Sequence, residues 1–188
     1  MVESQTSPFV TDLQAIRHRV LEHLEEGAFA RDAAYTVATT LRLLNDALAT
    51  EIVCVLRYTH HALSTAGLDS EAVKAEFGQH AREDQEHALR LSERIHTLGG
   101  QPDFHPRGLS SRDAHPSGAD PHPGDRLRES LLAKRIAIET YRDLLRHFAN
   151  HDRTTRRLLE DILQQEESHA HDMHAALVAH QRRCSRMN

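Results

Sequence analysis

Residues 101–125, QPDFHPRGLSSRDAHPSGADPHPGD, interrupt the helical patterning of the chain and hold five of its six prolines. The segment also has three glycines and no apolar periodicity, so it reads as an extended connection. A structureless loop this long is out of place in a compact domain unless the topology requires it. One topology does. A four-helix bundle whose second and third helices run parallel must return the chain along its whole length between them. The crossover, residues 101–124, therefore dictates two long helices before it and two after.

The flanking sequence supplies them. Apolar residues at helical spacing mark a helix from about Val37 to Thr65, with Leu41, Leu44, Leu48, Val55 and Ala62 on its apolar face. Another runs from Ser70 to Leu98 and is stopped by Gly99-Gly100. Two more follow, about Asp125–Asn150 and Thr154–Arg183, with a short His-Asp-Arg turn between them. At ~1.5 Å per residue, helices of about 26–30 residues make a bundle about 40 Å long. Thr11-Asp12 predicts the cap of a short extra helix carrying Leu13, Ile16, Val20 and Leu24 and ending near Gly27. The expected organisation is all-α: an N-terminal extension over 1–36, a four-helix bundle over 37–183 and a tail over 184–188.

Composition agrees and narrows the class. Hydrophobic residues make up 39% and aromatics 4% of the 188 residues, which suits helices packed through Leu, Ile, Val and Ala. A net charge of −5 gives no field favouring nucleic acid or an anionic membrane, and no apolar run is long enough to span a bilayer. The start, MVESQTSPFVTDLQ, lacks the layout of a secretory signal, and Cys54 and Cys184 make no disulfide framework. A cytoplasmic location is expected. Sixteen histidines are the compositional oddity, and an ordinary polar surface accounts for most of them.

The rest occupy core faces. Leu44, Leu48, Glu51 and Tyr58 share one face of the first bundle helix, and Phe77, His80, Asp84, His87 and Leu91 form a stripe on the second. On the fourth, Ile162, Glu166, His169 and Met173 repeat the pattern, a carboxylate followed by His three residues on. The third-helix stripe is Leu127, Leu131, Lys134, Ala137, Tyr141 and Leu145. Carboxylates and imidazoles gathered in a bundle core need something to neutralise them, and a divalent metal does so. Di-iron carboxylate bundles use one Glu from each of two helices and Glu-x-x-His from each of the others. Here the series is Glu51, Asp84-x-x-His87, Lys134 and Glu166-x-x-His169.

With these motifs in order, LLNDALATEIVCVLRY, EDQEHALRLSERIHTLGG, LLAKRIAIETYRDLL and LLEDILQQEESHAHDM resemble the helices of the bacterioferritin branch of the ferritin-like family over about residues 37–180. The extra N-terminal helix resembles that of Dps-like relatives. The resemblance implies a ferroxidase-type centre that oxidises iron(II) with dioxygen or peroxide, in a homo-oligomer that stores or detoxifies iron. It implies that Glu51 and His87 hold one metal, that His169 holds the other, that Asp84 and Glu166 bridge them, and that Tyr58 stands close behind. Gln85 occupies the place of the haem-ligating Met, so no haem is expected.

Two positions depart from that pattern. Lys134 stands where the family has a terminal carboxylate, and Asp84 shortens one bridging arm by a methylene. Glu129 and Glu139 lie five residues from Lys134, ~140° around the helix, and do not replace it. Glu51, Asp84, Glu166 and Lys134 sum to −2, which one divalent ion neutralises. A second ion ~4 Å from the ammonium would meet a repulsion of about 4 kcal/mol per unit charge product at an effective dielectric of ~20. The leading expectation is one metal on the Glu51/His87 side, with the Lys134 ammonium in the second place. Two readings stay open beside it: two metals with Lys134 swung aside, and a metal-free ion-pair network in a subunit with a structural or assembly role.

Other histidines carry less. At most one of His60 and His61 faces the core, and His80, one turn before Asp84, is a partner behind the ligands or a core-edge group. His105, His115 and His122 sit in the crossover, and His171, His174 and His180 point away from the site or lie too far along the helix. Cys54 reads as a small buried hydrophobe. A DNA-protecting role is disfavoured, since residues 1–12 carry no Lys-rich arm.

Overall fold

The computed structural model describes residues 37–64, 70–105, 123–148 and 152–187. They form four helices: α1 (Val37–Ser64), α2 (Ser70–Thr97), α3 (Pro123–Phe148) and α4 (Arg153–Met187). The short helix expected over residues 11–27, and His115 and His122 of the crossover, lie outside the described residues.

Contacts across the bundle give its topology. Tyr58 meets Phe77 while Glu51 meets His87, so α1 and α2 are antiparallel. Tyr58 meets Ser130 while Glu51 meets Tyr141, so α1 and α3 are antiparallel as well. Hence α2 and α3 run parallel, and the chain between them has to travel the length of the bundle. α4 lies antiparallel to α2, with Arg94 at Thr155, Arg90 at Asp161 and His87 at Gln165.

The helix ends follow local chemistry. Gly99 takes a φ of 79°, and Gly99 and Gly100 donate to His96 and Ile95 carbonyls at 2.9 Å each, a Schellman stop for α2. A Cβ on Gly100 would come within 2.4 Å of Leu41 Cδ2, so a side chain here would displace Leu41. α3 begins at Pro123, two residues before the Asp125 expected, because proline is preorganised for the first helical position. Asp152 caps α4, accepting from the Thr155 amide at 2.9 Å. Arg94 at the end of α2 holds the same carboxylate at 2.8 and 3.0 Å and donates to Thr155 Oγ1 at 2.8 Å. α4 continues to Met187, past the Arg183 at which the sequence reading ended it and left a tail, since RRCSRM holds no Gly or Pro to stop it.

The residues of the polar and apolar stripes are buried except Leu41, Val55, Ala62, Leu131 and Leu145, which are partly covered. Leu44, Leu48, Leu91, Ile95, Phe148, Leu159 and Ile162 fill one half of the core. Cys54, Tyr58, Phe77, Leu127, Met173 and Leu177 fill the other. Between the halves lies a layer of charged side chains sealed from water on both sides.

Candidate metal centre

Helical periodicity brings the charged residues to one level. α1 supplies Glu51, α2 Asp84 and His87, α3 Lys134 and Tyr141, and α4 Glu166 and His169, all no more than 5% exposed. Burying so many ionisable groups is tolerated only where each finds a partner.

Lys134 is the hub. Its Nζ donates to Asp84 Oδ1 at 2.7 Å and to Glu166 Oε1 at 2.8 Å, joining the two carboxylates that the resemblance makes bridging ligands. The same ammonium lies 5.1 Å from the centroid of the Tyr58 ring, within cation–π range. Burial disfavours the charge, but Tyr58, Glu166 and Asp84 outweigh it and hold the Lys134 pKa well above its ordinary value. Burial also pushes Asp84 well above the usual carboxylate range, with Lys134 pulling the other way and Glu51 adding to the rise. For Glu166 burial acts in the same direction, but Lys134 and the hydrogen bonds of His169 and His87 prevail, and its pKa falls well below 4.5. The two carboxyls on Lys134 are thus shifted in opposite directions.

His87 is clamped by acceptors. Nδ1 is 3.3 Å from Glu51 Oε2 and 3.4 Å from Glu166 Oε1, and Nε2 is 2.7 Å from Gln165 Oε1. Burial lowers the imidazole pKa, but the hydrogen bonds to Glu166 and Glu51 overcome it and raise the value to about 10. Tyr141 Oη donates to the other Glu51 oxygen at 2.5 Å. Burial, with Glu51 beside it, pushes the Tyr141 pKa well above 10, so this phenol stays a donor.

His169 stands at the edge of the group. Nδ1 is 3.7 Å from Glu166 Oε1 and 3.8 Å from Asp84 Oδ1, while Nε2 is 2.6 Å from Glu83 Oε2. Its ring stacks on His80 with centroids 4.4 Å apart. Burial and the neighbouring His169 and Lys134 push the His80 pKa down to about 3.

These positions sort the sequence-derived residues. One ligand atom each from Glu51, Asp84, His87 and Glu166 lies within 4.8 Å of the others, close enough for one ion. His169 falls in a different group, with His80 and Glu83. Tyr58 is buried nearby but touches the ammonium rather than a carboxylate, and its hydroxyl points to the Ser130 carbonyl at 3.5 Å. Tyr141, Gln165 and Glu83 were missed as site residues. Tyr141 had a signal, seven residues from Lys134 on the same stripe; Gln165 and Glu83 lie beside the stripes, where periodicity assigns solvent. His61 rather than His60 is buried, with Nδ1 3.3 Å from Ser130 Oγ, and Cys54 is buried in the apolar half. His105, His171 and His174 are exposed.

The donor set fits one divalent cation. Asp84 Oδ2 and Glu166 Oε2 are buried with no hydrogen-bond partner among the described residues, so each has a lone pair to give. In the observed arrangement the Lys134 ammonium already takes the other oxygen of each carboxyl.

An all-helical bundle with one crossover and a buried carboxylate–imidazole layer defines a ferritin-like carboxylate protein. The model of the ferritin-like domain matches residues 41–182, and the chain belongs to the ferritin-like family. Among solved structures it is similar to a bacterioferritin-related protein of Bacteroides fragilis, described as a dodecameric thioferritin, at 28% identity and a TM-score of 0.75 over 80% of this chain and 90% of that one. A ferritin-like diiron-carboxylate protein of Bacillus anthracis is 26% identical with a TM-score of 0.65, covering 75% of this chain and 96% of that one. A variant of the Dps1 protein of Mycobacterium smegmatis shares the fold at 20% identity and a TM-score of 0.70, covering 75% and 96%. No curated protein matches the sequence.

Proposed function

We propose that this protein handles iron(II) as a ferritin-like subunit with an altered ferroxidase-type centre, binding one iron where two bridged ions would sit. The observation that carries this reading is the Lys134 ammonium at 2.7 Å from Asp84 and 2.8 Å from Glu166. Glu51 and His87 would hold the iron, with the free oxygens of Asp84 and Glu166 facing it. Iron(II) as substrate supplies one electron to an external oxidant such as dioxygen or peroxide. Tyr141 fixes the Glu51 carboxylate, Gln165 fixes the His87 ring, and Lys134 supplies the positive charge that a second ion would bring. Release of the His87 proton accompanies binding, since a ligand imidazole must be neutral.

Anaerobic iron(II) loading of the wild type beside Lys134→Glu tests this reading. The variant is expected to take up one more iron per subunit and to oxidise it faster in air. Equal uptake and equal rates in the two proteins would overturn it.

The His87 clamp favours a second reading, a metal-free subunit with a structural or assembly role. With both ring nitrogens on acceptors, the imidazolium and the Lys134 ammonium offset most of the charge of Glu51, Asp84 and Glu166. A melting temperature unmoved by either chelator or iron(II) would favour it.

Assembly into a homo-oligomer is part of the proposal. It is supported by the dodecameric relative and by large apolar side chains on the bundle exterior, among them Leu56, Leu63, Leu89 and Ile136. No helix among the described residues is long and apolar enough to cross a membrane. A cytoplasmic location is proposed, in keeping with two cysteines that are both free.

A further inference from the structure

We propose that His80, Glu83 and His169 form a second divalent-cation site at the edge of the carboxylate layer, distinct from the Glu51, Asp84, His87 and Glu166 set. One ligand atom from each lies within 4.8 Å of the others, and the set shares no residue with Glu51, Asp84, His87 and Glu166. The inference therefore does not depend on iron occupying that layer.

Unspent bonding capacity points to a ligand. His80 Nδ1 and Glu83 Oε2 are buried atoms with no hydrogen-bond partner among the described residues, and His169 turns its Nε2 towards Glu83. Such atoms are rare in folded proteins and call for a cation or water to satisfy them. The 2.6 Å approach of His169 Nε2 to Glu83 Oε2 is too poorly aligned to count as a hydrogen bond. It nevertheless brings an imidazole and a carboxylate together.

The elements that hold these donors are already in place. His80 and Glu83 lie one turn apart on α2, and His169 comes from α4 opposite. The two imidazoles stack with centroids 4.4 Å apart at 26°. Gln79 Nε2 donates to Glu83 Oε1 at 3.0 Å and leaves Oε2 for the site. Ligands at ~2.1 Å from a tetrahedral ion stand ~3.4 Å apart, so Glu83 must withdraw by ~0.8 Å to admit one. Its side chain is 33% exposed and has room to do so.

Two imidazoles and one carboxylate suit a borderline divalent transition ion such as iron(II), zinc(II) or cobalt(II), and three protein ligands leave positions open. On the solvent side stand Glu76 and Asp172, which with His80 make a further set of ligand atoms within 4.8 Å. Glu76 Oε1 is 3.4 Å from His80 Nε2. A cation arriving from water thus meets carboxylates before it meets the imidazoles, as an acquisition site requires. The hub lysine explains why His169 is available: with Lys134 on Asp84 and Glu166, His169 need not serve a second core ion.

Cobalt(II) titration of metal-stripped protein, read by visible absorption and by the dissociation constant, tests the site. The expected result is a nitrogen-rich cobalt spectrum in the wild type that persists in Glu51→Gln. It should be lost in Glu83→Gln and His80→Ala, with affinity falling about 100-fold or more, since even outer partners of a metal are worth ~10–100-fold. Glu83 is part-exposed, so Glu83→Gln keeps the fold, and circular dichroism checks this. No cobalt spectrum in the wild type, one indifferent to Glu83→Gln, or one lost equally in Glu51→Gln overturns the proposal. Failure of the carboxylate-layer reading would show separately, in iron uptake that does not respond to Lys134→Glu.

Discussion

Lys134 and Glu166 face each other across the interface of α3 and α4, with the ammonium 2.8 Å from a carboxylate oxygen and both side chains shut away from water. That pair, extended to Asp84, changes the electrostatics of the whole layer: the positive charge there is covalently part of the chain. Removing it should therefore be costly. Lys134→Met leaves two carboxylates buried without their cation, for a loss of about 3–5 kcal/mol. In a domain of this size that lowers the melting temperature by roughly 10 °C. Calorimetry checks the value, and added divalent metal should restore part of it. A variant as stable as the wild type would mean that the ammonium is dispensable.

The two tyrosines in the core should behave differently. Tyr141 donates to Glu51 at 2.5 Å, and a hydrogen bond to a charged acceptor is worth about 1.5–3 kcal/mol. Tyr141→Phe is expected to lose most of that in urea unfolding. Tyr58→Phe gives up only a 3.5 Å approach to a backbone carbonyl while keeping its ring on Lys134 and Phe77, and should cost about 1 kcal/mol or less. Equal effects would place the working phenol wrongly.

The buried histidines predict a stability maximum near neutral pH in metal-free protein. His87 has its folded pKa raised from 6.5 to about 10, so its contribution is complete below pH 6.5 and is lost as pH rises towards 10. His61 and His80 are depressed to about 4 and about 3, mainly by burial. For these the unfolded chain binds the proton first, so stability is lost as pH falls below 6.5. Denaturant midpoints measured from pH 4 to pH 10 should trace a bell, and His87→Gln should flatten its alkaline side. An alkaline limb unchanged in that variant would remove His87 from the account.

Arg94 and Asp152 tie the end of α2 to the start of α4. The pair is bidentate at 2.8 and 3.0 Å, with side chains 7% and 10% exposed. Arg94→Ala frees the cap carboxylate and strips Thr155 of a donor, for an expected loss of about 3 kcal/mol in thermal or urea unfolding. Hydrogen exchange should rise first in the initial turn of α4, where the capped amides lie.

Much of this was legible in the sequence because helices report their buried face locally. Glu51, Asp84, His87, Lys134, Glu166 and His169 all lie on stripes set by a 3.6-residue period, and a proline-rich run of that length between helix pairs leaves few topologies. The charge conflict at Lys134 could likewise be counted without coordinates. Periodicity assigns a face, but it is silent on where a flexible side chain ends and which of two neighbours it meets. Only the packed bundle decided that Lys134 turns inward onto Asp84 and Glu166, that Tyr141 rather than Tyr58 reaches Glu51, and that His169 turns towards Glu83 and His80. Those choices depend on distances of a few ångströms between residues 30–90 positions apart, fixed by how four helices settle against one another and carried by no single helix.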